Sequence, residues 1–274
     1  MKLSLAAIAI SITTLGFYTP KVIAEPIKTP KTFNEWCQQK ASLPPETRQT
    51  VEALLKVANT QNCIQANQTL TNLTELDLSE NQISDLQPLS NLTNLTYLDL
   101  GINQISDIKP LSSLTNLTAL DLGKNQISDL QPLSNLTNLT ALVLAGNQIS
   151  DIKHLSNLTN LKVLYLFKNQ ISDIKFLSNL TNLKVLYLSE NQISDIKPLS
   201  NLTNLTTLHL SDNKIINIQT LTNLTNLTYL NLWRNQINDI KPLSNLTNLT
   251  YLNLWENPII SKQCPLKDEA ICKF

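Results

Sequence analysis

Apolar residues recur along most of the chain in a fixed phrase with a period of 22 residues. In one copy Leu98 and Leu100 are two residues apart, a spacing that places both side chains on one face of a short strand. From Ile105 onward the apolar step is three residues, which favours a 3₁₀ or extended segment over a long α-helix. Each copy also carries an asparagine, and its nine occurrences are Asn81, Asn103, Asn125, Asn147, Asn169, Asn191, Asn213, Asn235 and Asn257.

Each copy is therefore predicted to form one coil, made of a strand, a turn through the asparagine and a tight return segment. A single coil cannot bury its own leucines, so the coils must stack and bury them between neighbours. Stacking joins the nine strands into one parallel sheet, and the bulkier return side curves the stack. The predicted fold is an α/β solenoid with a parallel sheet on its concave side and 3₁₀ or extended segments on its convex side.

Two recurrent polar positions are interpreted as structural. The repeated asparagine both donates and accepts hydrogen bonds, so stacked copies are expected to form an internal ladder that satisfies backbone groups of the turns. A file of carboxylates spaced by one coil does not converge on a point, as a calcium site requires, so the repeated aspartate is predicted to cap a turn. That aspartate is Asp85, Asp107, Asp129, Asp151, Asp173, Asp195 or Asp239, with Asn217 in its place once.

The two ends of the chain lack the repeat. Residues 1–24 have the basic start, apolar run and small residues before Glu25 that are typical of a signal peptide, and a membrane anchor is the less favoured alternative because the run is short. We predict a linker over 25–31, a helical cap over 32–70, repeats over 71–260 and a C-terminal cap over 261–274. The chain is accordingly expected to be secreted, periplasmic or otherwise extracytoplasmic, without a membrane span once the signal is cleaved.

Four cysteines flank the predicted solenoid. Cys37 and Cys63 precede the repeats, and Cys264 and Cys272 follow them. In an oxidising compartment this arrangement favours the disulfides Cys37–Cys63 and Cys264–Cys272. A zinc site built from all four cysteines is the alternative, and it would require the two ends of a long solenoid to meet.

Charge and residue chemistry indicate a binding protein that is not an enzyme. The chain has 21 basic and 21 acidic residues, which is not the balance of a nucleic-acid-binding protein. Its two histidines, His154 and His209, lie coils apart, and no nucleophile–base pair, metal-ligand spacing or phosphate loop is visible. We therefore expect no catalytic residue, no metal and no cofactor.

The repeated phrase resembles that of a known family. Leu-x-x-Leu-x-Leu-x-x-Asn-x-Ile-x-x-Ile-x-x-Leu-x-x-Leu, repeated every 22 residues over about 73–262, is similar to the internalin-type leucine-rich repeat of bacterial surface and secreted proteins. The resemblance implies a leucine-rich-repeat solenoid that holds a ligand, usually a protein, on the concave face of its sheet. We see neither a cell-wall sorting tail nor an immunoglobulin-like domain, so an adhesin tied to a cell wall is not expected, and we expect a monomer.

The residues that vary between copies divide the concave face into three parts. The middle part is small and apolar, at Ala119, Ala141, Val143 and Ala145. The first part is acidic, through Glu75, Asp77, Asp99 and Asp121. The last part is aromatic, and it comprises Tyr165, Phe167, Tyr187, Tyr229, Trp233, Tyr251 and Trp255.

Exposed aromatic patches mark interaction sites, and Trp and Tyr dominate binding hot spots. The first hypothesis is a non-catalytic module that anchors a protein on the aromatic part, with His209 and Arg234 contributing and the acidic part steering. The second is a glycan binder in which Tyr187, Trp233 and Trp255 stack on sugar rings. A third interpretation is that the rings only stack on their neighbours and stabilise the sheet.

Overall fold

The computed structural model describes residues 30–274. The predicted signal peptide (1–24) and residues 25–29 of the predicted linker lie outside the described residues. The described chain begins with three α-helices, followed by strands and 3₁₀ helices in regular alternation. The α-helices are α1 (Phe33–Gln38), α2 (Pro45–Val57) and α3 (Cys63–Thr71).

The helices cover the N-terminal end of the solenoid. Helix α1 begins with a capping box, in which Thr32 and Glu35 bond each other's backbone N–H groups. Helix α2 lies against the first coil, where the Thr50 hydroxyl donates to the Asp85 carbonyl oxygen at 2.6 Å. A disulfide joins Cys37 of α1 to Cys63 of α3. The apolar ends of the first coil's leucines are thereby covered, as a solenoid terminus requires.

One parallel sheet follows the chain order from first strand to last. In β1–β9 the central residue is a buried leucine, whereas its two neighbours on the opposite face are exposed or partly buried. This alternation confirms the predicted register, with the leucines inside. The strands are β1 (Glu75–Asp77), β2 (Tyr97–Asp99), β3 (Ala119–Asp121), β4 (Ala141–Val143), β5 (Val163–Tyr165), β6 (Val185–Tyr187), β7 (Thr207–His209), β8 (Tyr229–Asn231), β9 (Tyr251–Asn253) and β10 (Cys272–Lys273).

The described sheet has ten strands, one more than the nine coils predict. The extra strand, β10, comes from the C-terminal tail and pairs in parallel with β9, so that Leu254 donates its N–H to the Lys273 carbonyl oxygen at 2.7 Å. A disulfide between Cys264 and Cys272 closes the tail segment onto itself. Both disulfides are those that the sequence favoured, and the zinc alternative is wrong.

The return side of the coils consists of short 3₁₀ helices, and the repeated aspartates cap them. The Asp107 carboxylate accepts a hydrogen bond from the Lys109 N–H at 2.8 Å, and Asn217 makes the same bond to Gln219 at 2.8 Å. The capping prediction is thus confirmed. The 3₁₀ helices of the coils are Gln87–Leu89, Lys109–Ser113, Gln131–Leu133, Lys153–Leu155, Lys175–Leu177, Lys197–Asn201, Gln219–Asn223 and Lys241–Asn245. Two others lie outside the coils, Lys40–Ser42 between α1 and α2 and Glu269–Ile271 in the C-terminal tail.

The asparagine ladder is present between the coils. Asn103 Oδ1 accepts from the Ile83 N–H at 2.8 Å, and its Nδ2 donates to the carbonyl oxygens of Leu78 and Leu100 at 2.9 and 3.0 Å. A second ladder, which the sequence did not reveal, runs along the return side, where each Nδ2 donates to a threonine carbonyl 23 residues earlier, in the preceding coil or, for Asn94, at the end of α3. Its members are Asn94, Asn116, Asn138, Asn160, Asn182, Asn204, Asn226 and Asn248.

Candidate partner-binding face

The candidate site is the outward face of the sheet, which we call the strand face. It is formed by the two residues that flank the buried leucine of each strand β1–β9 and by the second residue after each strand. Of the residues predicted to bind a partner, all but Arg234 occupy these positions, and Arg234 directly follows one of them. None of them is buried, because leucine fills the interior of every coil.

Five rings on the strand face form one continuous stack, which we call the ring row. Its centroid separations along the row are 4.5, 3.9, 4.6 and 4.3 Å. The first three rings come from the third residue of their strands, and the last two from the first residue, so the row shifts sideways between β7 and β8. The members, in order, are Tyr165, Tyr187, His209, Tyr229 and Tyr251.

Stacking leaves the ring edges and polar atoms facing outward and covers most of the ring faces. Burial raises the pKa of Tyr229 to about 12, helped by its hydrogen bond with Tyr251. Burial also raises the pKa of Tyr187 and lowers that of the His209 imidazole. These shifts favour the uncharged forms of Tyr187, His209 and Tyr229, and the row offers phenol hydroxyls and an imidazole as hydrogen-bonding groups. The expectation of neighbour-to-neighbour stacking is confirmed in geometry.

Other predicted residues lie beside the ring row. Phe167 lies 6.4 Å from Tyr165 between ring centroids, and the side chain of Trp255 is 54% exposed. The Arg234 guanidinium lies 5.7 Å from the centre of the Trp233 ring and forms ion pairs with Asp212 at 3.1 Å and Glu256 at 3.5 Å. Since the arginine is exposed, these pairs contribute at most about 1 kcal/mol each to stability.

The acidic residues of the strand face have a structural role that the sequence analysis missed. Asp77, Asp99 and Asp121 each use Oδ1 to accept the N–H of the residue two positions on, at 2.8, 2.8 and 2.7 Å. Asn231 and Asn253 make the same bond at 3.1 Å, which explains why either residue type occurs at this position. The second carboxylate oxygen of each aspartate is not used in this bond.

The structure also contains a groove that the sequence analysis did not identify. It has a volume of about 390 Å³ and runs across the exit ends of the first strands. Its floor is Gly101, Gly123 and Ala145, and Phe167 stands at one end. The available signal was three small residues at the same position of consecutive copies. A small residue leaves a cavity only when the neighbouring side chains do not fill the space above it. The repeat pattern does not show whether they do.

Across residues 30–274, no group of three or more His, Cys, Asp and Glu side chains is arranged to hold a metal ion. No helix within that range is long and apolar enough to cross a bilayer.

Sequence comparison identifies the repeats as the family described as Leucine Rich repeats (2 copies). Its matches cover 71–113, 93–135, 115–157, 137–180, 159–201, 181–223 and 225–268. No curated protein sequence matches the chain.

Two solved internalins of Listeria monocytogenes are similar to the chain. Internalin inlF is 41% identical over 70% of this chain and 57% of its own, with a TM-score of 0.69. Internalin C2 is 37% identical over 73% of this chain and 90% of its own, with a TM-score of 0.70. The chain thus spans little more than half of inlF and most of internalin C2.

A plant structure also matches. It is the leucine-rich-repeat ectodomain of an Arabidopsis thaliana membrane receptor kinase in complex with CASPARIAN STRIP INTEGRITY FACTOR 2, and it is 31% identical over 70% of this chain and 25% of its own, with a TM-score of 0.62. The family matches cover well over half of the chain, and the internalins share its fold and its repeat. The chain belongs to the leucine-rich-repeat family and is an internalin-type leucine-rich-repeat protein.

Proposed function

We propose that the protein is a non-catalytic binding module that holds a protein partner on its strand face. The observation that carries the proposal is the ring row with Phe167, Trp233 and Trp255 beside it. Leucines already fill the core beneath this face, so the rings lie on its outward side. Large aromatic side chains at the centre of such a face are typical anchors of a protein interface.

The fold itself does not require these rings. At the position occupied by Tyr165 and Tyr187, strands β1–β3 carry aspartate and β4 carries Val143, yet the same leucine core continues beneath them. Stability of a solenoid comes from the core of neighbouring coils. The concentration of rings in β5–β9 therefore supports a role in recognition in addition to their mutual stacking.

The comparisons support the same class of function. Leucine-rich-repeat relatives are typically interaction modules, and the plant ectodomain was solved in complex with CASPARIAN STRIP INTEGRITY FACTOR 2. The internalin-type relatives and the two disulfides support an extracytoplasmic location, where disulfides persist. We accordingly place the proposed binding event outside the cytoplasm.

Glycan binding is the second candidate, and Trp255 favours it. A sugar ring stacks on an open aromatic face, and Trp255 is more than half exposed. The three inner members of the ring row present mainly their edges, because a neighbouring ring lies against each of their faces. The glycan hypothesis thus depends on Trp255 and Trp233, whereas a protein partner can use the whole row.

The test is a photocrosslinking experiment with the secreted protein and an envelope extract of the source organism. A benzophenone amino acid at Tyr251 is expected to crosslink a specific protein, and the same group at Ile216, an exposed return-side residue, is not. Trp233→Ala with Trp255→Ala should reduce the crosslink at least about tenfold, since hot-spot truncations cost about 2 kcal/mol or more.

Ile216→Ala, which removes an exposed apolar side chain elsewhere, should leave the yield unchanged. Equal crosslinking from both faces, or an unchanged yield in the double tryptophan variant, contradicts a partner on the strand face. A glycan array with the same variants separates the second candidate, because saccharide binding that depends on Trp255 without any protein crosslink supports the glycan alternative.

A further inference from the structure

The groove lies where the second residue after the strand is smallest. Gly101 and Gly123 hold this position after β2 and β3, whereas Phe167 holds it after β5. A Cβ added at Gly123 would lie 3.1 Å from Asp121 Oδ1 and 3.3 Å from Val143 Cγ1. Side chains from the same coil and the next one therefore already reach the edge of the groove, and the glycines keep its floor open.

Uncompensated negative charge lies along one wall of the groove. Asp99 and Asp121 stand on adjacent paired strands, each accepts a glycine N–H through Oδ1, and the Asp99 carboxylate also takes part in a hydrogen bond with Tyr97. Among residues 30–274 neither carboxylate has a salt-bridge partner within 4.0 Å. Burial, reinforced by the charge of Asp99, raises the pKa of the Asp121 carboxyl, although the Gly123 N–H opposes this shift. A cation placed between the two carboxylates would offset both their repulsion and their desolvation.

We propose that this groove receives a single lysine or arginine side chain of the protein partner. Its charged head lies between Asp99 and Asp121, and its methylene stem lies over Gly101 and Gly123 toward Phe167. The proposal rests on the proposed function, because it names the chemistry of one contact on the same strand face. It adds a second subsite that is distinct from the ring row.

The shape and charge of the groove select this occupant over others. Calcium prefers six to eight converging oxygens, which two carboxylates on one wall do not supply. An apolar side chain would bury the carboxylates further without compensating their charge. Lys124 and Lys168 line the groove and are exposed, and Lys168 pairs with Glu190 at 3.6 Å. These two lysines disfavour a polybasic segment, so the fit is to one basic residue flanked by neutral or acidic ones.

The composition of the chain makes this subsite easy to observe. The sequence has four glycines, and three of them, Gly101, Gly123 and Gly146, line the groove. The N–H groups of Gly101 and Gly123 bond directly to the two carboxylates. An NMR spectrum of the full chain labelled only with ¹⁵N-glycine therefore contains almost nothing but reporters of the groove.

The probes are blocked tripeptides, acetyl-Ala-Lys-Ala-amide and acetyl-Ala-Arg-Ala-amide, with norleucine and glutamate versions as controls. We expect saturable shifts of the Gly101 and Gly123 peaks with the basic peptides, weakening as salt rises. The norleucine and glutamate peptides should bind at least about tenfold more weakly, because they lose the charge-assisted hydrogen bonds. No saturable shift with either basic peptide, or equal shifts with norleucine, overturns the proposal.

Matched variants separate the subsite from general electrostatics. Asp121→Asn keeps the turn bond, as Asn231 and Asn253 do in this chain, and should weaken the basic peptides about tenfold. Asp129→Asn removes a charge on the return side, where Asn217 shows that asparagine caps the same turn, and should leave binding unchanged. Equal affinity of Asp121→Asn and wild type contradicts the proposal.

The tripeptide experiment stays informative if the proposed function fails. Peptide binding at the groove without any protein crosslink at Tyr251 would support the subsite and contradict the ring-row interface. A crosslink that needs Trp233 and Trp255 but survives Asp121→Asn and Gly123→Phe would support the interface and overturn the groove as a part of it. Gly123→Phe places here the residue type that the chain carries two residues after β5, and its folding is checked by its urea denaturation midpoint.

Discussion

The imidazole of His209 stacks on the phenol ring of Tyr229, with 4.6 Å between the ring centroids and 16° between the ring planes. This pair joins the two halves of the ring row, because His209 ends its strand and Tyr229 begins the next one. On its other side His209 contacts Tyr187 at 3.9 Å. The histidine is thus enclosed between two aromatic rings.

Enclosure of His209 predicts that stability falls as the pH is lowered. Burial lowers its pKa in the folded protein below the ordinary value of 6.5, so the unfolded chain binds more protons between these two values. The free energy of unfolding should decrease as the pH falls through 6.5 and level off below the folded-state pKa. Urea denaturation from mildly alkaline to mildly acidic pH measures this change.

The control variant carries tyrosine in place of His209, because tyrosine is the residue that β5 and β6 carry at the same strand position. His209→Tyr, which copies Tyr165 and Tyr187, should remove this part of the pH dependence while the ring row is kept. His154→Asn retains His209 and should behave as wild type. A pH profile that is the same in His209→Tyr and wild type would rule out the histidine as its source.

The buried asparagine ladder predicts a large and local loss of stability. Asn147 bonds the Leu122 and Leu144 carbonyl oxygens and the Ile127 N–H at 2.9, 3.0 and 2.9 Å. Asn147→Ala leaves these backbone groups without partners and should lower the free energy of unfolding by about 3 kcal/mol. Asn160→Ala removes an exposed bond of the second ladder, to the Thr137 carbonyl oxygen at 2.9 Å, and should cost less than about 1 kcal/mol. Similar losses in the two variants would contradict the structural ranking of the two ladders.

The repeat accounts for what the sequence predicted well. Each apolar position recurs with the same period, so one copy with Leu98 and Leu100 inside determines the register of every other copy. The same logic identifies Asn103 and Asp107 as structural, since their equivalents recur where only backbone groups need partners. The fold, the asparagine ladder and the turn caps are therefore all evident from the repeat, and the disulfides from the positions of the cysteines on either side of it.

Contacts made by the side chains that vary between copies were not evident, because they depend on how non-identical side chains meet each other and the local backbone. Asp99 and Asp121 looked like free charges, and their bonds to glycine N–H groups depend on the path of the chain after the strand. The sideways shift of the ring row between His209 and Tyr229 depends on side-chain directions that no period encodes. Strand β10 was missed because its two residues carry no repeat.

The backbone conformation of Gln82 predicts that a glycine substitution there affects stability differently from one at the equivalent position of the next coil. Its φ is 56°, in the left-handed region, whereas the equivalent Gln104 donates its N–H to the Ile83 carbonyl oxygen of the preceding coil at 2.8 Å. No coil precedes the first one, so Gln82 lacks that carbonyl. Left-handed backbone costs an L-residue about 1–2 kcal/mol, and glycine avoids this cost.

Gln82→Gly is therefore expected to leave the free energy of unfolding unchanged or to raise it, while Gln104→Gly should lower it by about 1 kcal/mol. Both side chains are exposed and both changes remove the same atoms, so the difference reports the backbone alone. Urea denaturation of the two variants measures it. An equal loss in both would show that the first turn is not strained.

The C-terminal disulfide is expected to hold the last strand in place rather than the solenoid as a whole. Strand β10 has two residues and bonds β9 through the Leu254 N–H, while Leu210 makes the equivalent bond to Asn231 inside the sheet at 2.8 Å. Replacing Cys264 and Cys272 by serine removes a closure worth about 2–4 kcal/mol, which is more than so short a strand supplies. The Leu254 amide should then exchange with deuterium at least about tenfold faster, whereas the Leu210 amide should be unaffected because solenoid stability is a sum over neighbouring coils.

Hydrogen-exchange mass spectrometry resolves the two segments, and the Cys37→Ser/Cys63→Ser variant serves as the control at the opposite end. Unchanged exchange at Leu254 would mean that β10 holds without its disulfide, and faster exchange at Leu210 would mean that the cap stabilises the interior of the solenoid as well.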